Sequence, residues 1–238
     1  MKCTKELDDN SPTKNDRKDP KTIAMLVKDG RYREVYIPEN VYQEMREAVY
    51  EHERLQEQLN AINNQVIRWL DIRFPEFDKV YKAWDGMAAL LVLKHFPTPA
   101  KILKAGVNGI MGVWRQTLKK PSQKRAEALV RIANESIGRT AGTVAAEAAL
   151  QNLLVQHELL CKQLEAQEIL MQELLLQVPN AGKLMDIKGV GMLTTAVIVS
   201  EIGDIHRFQD PRQIIKLAGL NLRENSSGKH QGRTTISK

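Results

Sequence analysis

Apolar positions recur at alternating spacings of four and three along Val41, Met45, Ala48, His52, Leu55, Leu59, Ile62, Val66 and Trp69. That spacing draws one stripe along a helix, a heptad seam with His52 as its single polar member. The pattern predicts a long helix from about residue 39, with Pro38 suited to its start, and it breaks at FPEFDKV. A second long helix is predicted over about 143–176, with Leu150, Leu153, Leu160, Leu164, Met171 and Leu174 on its seam and interruptions at His157 and Gln167. Between them lie shorter helical pieces at about 84–95, 99–105, a GVNGIMGVW segment and 122–137, with FPTP and LKKPS supplying stops and restarts. Two long amphipathic helices around a small helical insert suggest an antiparallel pair. They can equally face another subunit, because a seam states only that some helix must cover it.

The flanks read differently. Residues 1–20 are polar, hold two prolines and show no periodicity, and they lead into a short helix, KTIAMLVKDG, ended by Gly30. From residue 179 the pattern is helix, tight GVG turn, helix, loop, helix, then a Gly/Ser/Lys-rich tail that is predicted to be irregular, with no closing helix or strand. The expected fold is mainly α, a long helical hairpin or coiled-coil spacer over 36–178 followed by a small helical module over 179–238.

With 42% hydrophobic and 27% charged residues in 238, the chain is ordinary globular material. Cys3 and Cys161 stand far apart, so neither a disulfide framework nor a thiolate zinc site has material, and a reducing compartment fits. No apolar run of about 18 residues and no export-type h-region occurs, so a cytosolic, nucleoid-associated protein without a membrane is expected. A net charge of +6 raises the prospect of a polyanionic partner. That charge is uneven: 39–79 hold five Lys/Arg against nine Asp/Glu, whereas 205–238 hold seven against two, and LKKPSQKRAEALVR adds a basic stretch in the middle. The polyanion-facing parts are predicted to be the middle and the C-terminal end.

Three constellations bear on chemistry. In Ile187-Lys188-Gly189-Val190-Gly191 the glycines let the backbone turn sharply between two short helices, and their amides can hold a nucleic-acid phosphate without reading a base. This is the helix-hairpin-helix arrangement, and its plain alternative is a tight turn between packed helices. In Arg223-Glu224-Asn225-Ser226-Ser227-Gly228-Lys229-His230, followed by Arg233 and Lys238, a serine beside glycine has an accessible hydroxyl, Arg and Lys can neutralise a scissile phosphate, and His230 can carry a proton. The alternative is a solvated loop. Among Asp8, Asp9, Asp16 and Asp19, the last two are three apart and would share a face if helical, where they could take a divalent cation such as Mg²⁺. The alternative is a charged loop or helix entrance with Asp and Lys/Arg intermixed. His52 is expected to be a core or partly exposed residue, His95, His157 and His206 form no metal spacing, and Trp69, Trp84 and Trp114 are expected to anchor helix packing.

The segments NDRKDPKTIAMLV and PNAGKLMDIKGVGMLTTAVIVSEIGDIHRFQDPRQIIKLAGLNLRENSSGKHQGRTTISK, with the helical spacer between them, resemble the IS110/IS1111 (IS116/IS110/IS902) transposase family. The resemblance implies an N-terminal RNase H-like (RuvC-like) domain with a DEDD carboxylate set and Mg²⁺, a coiled-coil spacer, and a C-terminal domain whose serine attacks DNA. It also implies partners: double-stranded DNA at element ends, a guide RNA in part of the family, and a second copy through the helical spacer. Carried over residue by residue, the last two aspartates fall on Asp16 and Asp19, the serine on Ser227 with Ser226 as fallback, and the hairpin on Gly189 and Gly191 with Lys188. Arg223, Lys229, Arg233 and Lys238 are the accompanying DNA-contacting candidates. The family's first Asp and its Glu have no counterpart in the 15 residues before Asp16, so residues 1–35 are expected to be a remnant of that domain and 179–238 an incomplete C-terminal domain. On that reading the chain is a piece of a longer transposase, and its alternative role is a DNA-binding or dimerisation fragment without catalysis.

Overall fold

The structure, a computed structural model, describes residues 18–31, 36–220, 222–223, 226–227, 230–231 and 235–236, with backbone alone at 18, 19, 22 and in the strands beyond 220. The chain divides into two units, Met1–Glu39 and Asn40–Lys238. In the first, helix α1 (Lys18–Lys28) begins three residues before the predicted start and takes Asp19 into its first turn. It closes on Gly30 at φ 68°, with the Gly30 amide on the Val27 carbonyl at 3.1 Å and the Arg31 amide on Leu26 at 2.9 Å. Glycine tolerates this left-handed closure because it lacks a Cβ.

In the second unit, α2 (Val41–Arg73) and α6 (Thr143–Gln177) form an antiparallel pair. Gln167 Nε2 donates to the Ala48 carbonyl at 3.0 Å near one end, and Trp69 Nε1 donates to the Ala146 carbonyl at 2.8 Å near the other. The α2 seam buries Met45, Ala48, Leu55, Ile62, Val66 and Trp69, so one chain covers its own seam. On α6 the predicted seam positions Leu150, Leu160, Leu164, Met171 and Leu174 are buried, and Leu153 is partly buried against the same core. Its neighbour Leu154 is buried more completely, and His157, the polar position at seam spacing, is buried with the apolar ones. His52 is partly exposed, its Nε2 lying 3.6 Å from Glu168 Oε1.

The insert contains a 3₁₀ turn (Pro75–Lys79) and helices α3 (Met87–His95), α4 (Pro99–Thr117) and α5 (Gln123–Asn134). The two segments predicted around 99–114 are arms of α4 on either side of Gly106, whose φ of 61° and ψ of −175° break the helix. Ser122 caps α5 by accepting from the Arg125 amide at 3.4 Å. Phe74, Phe77, Leu93, Ile102, Ile110, Trp114 and Leu129 continue the hairpin seam into one core. Trp69, Trp84 and Trp114 are all buried, and Trp114 Nε1 donates to the Ala88 carbonyl at 3.1 Å.

The C-terminal part holds α7 (Ala181–Met185), α8 (Met192–Ile202), a 3₁₀ turn (Ile205–Arg207) and α9 (Pro211–Leu217). Ala181, Ala196 and Val199 share a second core with Met45, Val49, Met171 and Leu175, and Arg46 Nε donates to the Ser200 carbonyl at 3.2 Å. Helix α8 is therefore seated on the open end of the α2/α6 hairpin.

The tail departs from the irregular form predicted. Strand β1 (Leu222–Arg223) runs antiparallel to β4 (Thr235–Ile236), and β2 (Ser226–Ser227) to β3 (His230–Gln231). Two-residue strands carry too little apolar alternation to be seen in sequence; they are defined by backbone pairing. The described chain remains mainly α-helical.

Candidate functional site

After α7 the chain tightens through the Ile187 amide on the Leu184 carbonyl (3.2 Å) and the Val190 amide on the Ile187 carbonyl (2.9 Å). Gly189 stands at φ 92°, a conformation side chains rarely adopt, and a Cβ placed on Gly189 or Gly191 would meet open space. Gly191 begins α8 with no side-chain cap, so the first-turn amides are left for water or an anion. Lys188 and Gly189 are exposed beside them. Buried Thr195 fastens this turn, its hydroxyl and its amide both donating to the Gly191 carbonyl at 2.9 Å. The sequence reading passed over Thr195; a threonine four residues after a helix-opening glycine is placed for such a backward bond.

In the tail, register places Ser227 opposite His230 and Ser226 opposite Gln231, with Gly228 and Lys229 between the strands. The outer pairing sets Leu222 against Ile236 and Arg223 against Thr235. Two residues separate the ladders on the outgoing side and three on the return, so the inner ladder is one residue out of step with the outer. A serine hydroxyl becomes a nucleophile only with a partner that takes its proton, and of the two serines Ser227 is the one aligned with a histidine.

Arg223 lies on β1, and Asp19 in the first turn of α1, each described by backbone. Asp16, Lys229, Arg233 and Lys238 lie outside the described residues. Among the described residues no group of three or more His, Cys, Asp or Glu is placed to hold a metal ion. Also among the described residues, no helix is long and apolar enough to cross a membrane.

Both ends of the chain match transposases. Residues 181–238, which contain the glycine turn and the strand pairs, match the model of the Transposase IS116/IS110/IS902 family, and residues 2–75 match a second transposase model, of the DEDD type of IS110, that extends through α2. The chain belongs to the IS110/IS1111 transposase family. It is similar to the transposase for insertion sequence element IS1111A of Coxiella burnetii (strain RSA 493 / Nine Mile phase I), at 37% identity over 59 residues. That alignment covers 25% of this chain and 16% of the relative.

Proposed function

We propose that this chain serves DNA transposition of the IS110 type, holding double-stranded element-end DNA with its C-terminal module and presenting Ser227 for strand cleavage and rejoining. The observation that carries the reading is the opposition of Ser227 and His230 inside the segment that matches the transposase family. In the proposed step Ser227 Oγ bonds to phosphorus, its proton passes to His230, and the phosphoester bond to the departing deoxyribose oxygen breaks as that oxygen gains a proton. Arg223, Lys229, Arg233 and Lys238 would offset the phosphate charge. Lys188 and the amides of Gly189 and Gly191 would hold the backbone as a helix-hairpin-helix.

The same reading takes α2 and α6 as a coiled-coil spacer that joins two copies, residues 1–35 as part of an RNase H-like domain with Asp16 and Asp19 as its Mg²⁺ carboxylates, and a guide RNA as a further partner. The test is covalent capture of labelled element-end DNA with Mg²⁺ and candidate guide RNA, comparing the native chain with Ser227→Ala and Ser226→Ala. A protein–DNA adduct lost in Ser227→Ala and kept in Ser226→Ala is the expected result. Salt-sensitive binding with no adduct would assign the chain to DNA binding and assembly without cleavage.

A further inference from the structure

The helical insert carries a charge that the C-terminal site does not use. Residues 79–139 hold twelve Lys/Arg against three Asp/Glu, a net +9 where the whole chain is +6. This stretch lies between the two matched segments, 2–75 and 181–238. Two of the cations, Lys94 and Lys101, are spent on the hairpin, pairing with Glu158 at 2.7 Å and Glu147 at 2.6 Å. Others gather around an open cleft of about 530 Å³ between the 3₁₀ turn and α5. Lys79 stands on one wall and Lys124, Arg125 and Arg131 on the other, all exposed.

Among the described residues none of these four cations closes a salt bridge. Lys124, Ala128 and Arg131 fall at i, i+4 and i+7 on one face of α5, which separates the two cations by about 10 Å with a small residue between them. Arg125 sits over the buried Tyr81 ring at 6.0 Å, a cation–π contact that fixes the guanidinium without cancelling its charge. Glu76, on the 3₁₀ turn beside Lys79, faces inward, accepting from Ser136 Oγ at 2.7 Å and the Ile137 amide at 3.0 Å. Glu127 accepts from Gln123 at 2.9 Å, leaving Glu135 as the one carboxylate lining the cleft. No aromatic side chain lines it, so it has no platform for stacking unpaired bases. Its donors are long, flexible cations suited to phosphate oxygens and indifferent to sequence.

We propose that this cleft is a second nucleic-acid contact, in which Lys79, Lys124, Arg125 and Arg131 grip the sugar-phosphate backbone of a double helix. It extends the proposed DNA-binding role to a surface remote in sequence from the serine and independent of cleavage. Binding is measured as a function of salt in a Ser227→Ala background, so that covalent chemistry does not contribute, using DNA and RNA duplexes of the same sequence. Each neutralised phosphate contributes about 0.9 to the slope of log K against log salt for B-DNA. Lys124→Gln/Arg131→Gln is expected to lower that slope by about 1.8 and to weaken binding at 0.1 M salt by about tenfold or more. The conservative Lys124→Arg/Arg131→Lys pair should retain the slope.

Lys94→Gln/Lys101→Gln removes the same charge from the same insert and should keep the native slope, since those ammonium groups are already paired. Loss confined to one duplex identifies which nucleic acid the cleft takes, and loss with both shows that the shared backbone is what it grips. An unchanged slope in Lys124→Gln/Arg131→Gln with native thermal unfolding, or an equal drop in the Lys94/Lys101 control, overturns the proposal. Failure of serine-dependent adduct formation leaves this measurement unaffected.

Discussion

At Gly138 the segment after α5 crosses the end of α2 so closely that a Cβ would lie 2.0 Å from the Arg73 carbonyl oxygen. The crossing is held by the Arg139 amide on the Ile72 carbonyl at 2.9 Å and by Arg73 Nη1 on the Arg139 carbonyl at 3.0 Å. Backbone cannot step aside as a side-chain tip can. Gly138→Ala is therefore expected to destabilise the chain by about 3 kcal/mol, the upper end of ordinary overpacking costs. Urea unfolding measures this, with the neighbouring, 86% exposed Ile137→Ala as a near-neutral control; a native midpoint in Gly138→Ala would mean the crossing is loose. Beside it, burial pushes the Glu76 carboxyl up, but the bonds from Ser136 and Ile137 and the charge of Lys79 outweigh that and hold it below its usual value.

His157 supplies a second test at the same scale. Its ring meets Trp84 edge-on at 4.8 Å and lies 3.8 Å from Cys161 Sγ. Burial pushes its pKa down, and the carboxylates of Asp85 and Glu158 only partly offset this, while Lys94 adds to it. Glu158 is held at about 2 by its hydrogen bonds from Lys94 and Lys162, so it stays charged across this range. The unfolded histidine, titrating near 6.5, then binds a proton that the folded one resists. The stability it contributes is present above about pH 6.5 and is lost as pH falls through the lowered folded value. The melting temperature should fall as pH drops below about 6.5, and His157→Gln should flatten that fall. Parallel curves for the two proteins would remove His157 as its source.

At the scale of the element, α6 is apolar on two sides. One side is the buried seam. On the opposite side Val155, Leu159, Ile169 and Leu170 follow helical spacing and remain 67, 55, 54 and 43% exposed. An isolated surface helix puts polar residues there, so this stripe is where the proposed second copy would cover α6. Val155→Glu/Leu159→Glu is expected to shift sedimentation from dimer to monomer at unchanged helix content. A native chain that sediments as a monomer throughout the micromolar range would remove the dimer from the proposal. The break at Gly106 belongs to this scale too: GVNGIMGVW reads as a separate segment because glycine at positive φ interrupts the helix, while the flanking arms still bury Ile102 on one side and Ile110 and Trp114 on the other.

For the whole molecule, two long helices, the breaks between the insert helices and the glycine turn were legible because each rests on a local rule. A heptad spacing repeated over nine positions, prolines between helical pieces and glycines between short helices act over one to a few turns of chain. The tryptophans were legible as anchors from their apolar surroundings, although Trp84 lies in the turn before α3 and not on the helix predicted from residue 84. That Leu154 is buried more fully than Leu153, and that the polar seam position His157 is buried, were not, because neighbouring positions on a stripe differ only in what the insert places against them. The basic stretch around 119–131 was visible as charge, but its meeting with Lys79 across a cleft depends on how the 3₁₀ turn is seated against α5.

The sequence by itself determined that this chain is helical, where its long helices run, and that it carries the transposase family's motifs, since periodicity, caps and motif residues are properties of neighbours along the chain. Only the tertiary structure decided that α6 returns along α2 within one chain, that α8 closes the hairpin's end, that four cations line one cleft, and that Ser227 stands opposite His230. Seams, charges and polar strands each accept many partners, and the packing of the folded chain selects one.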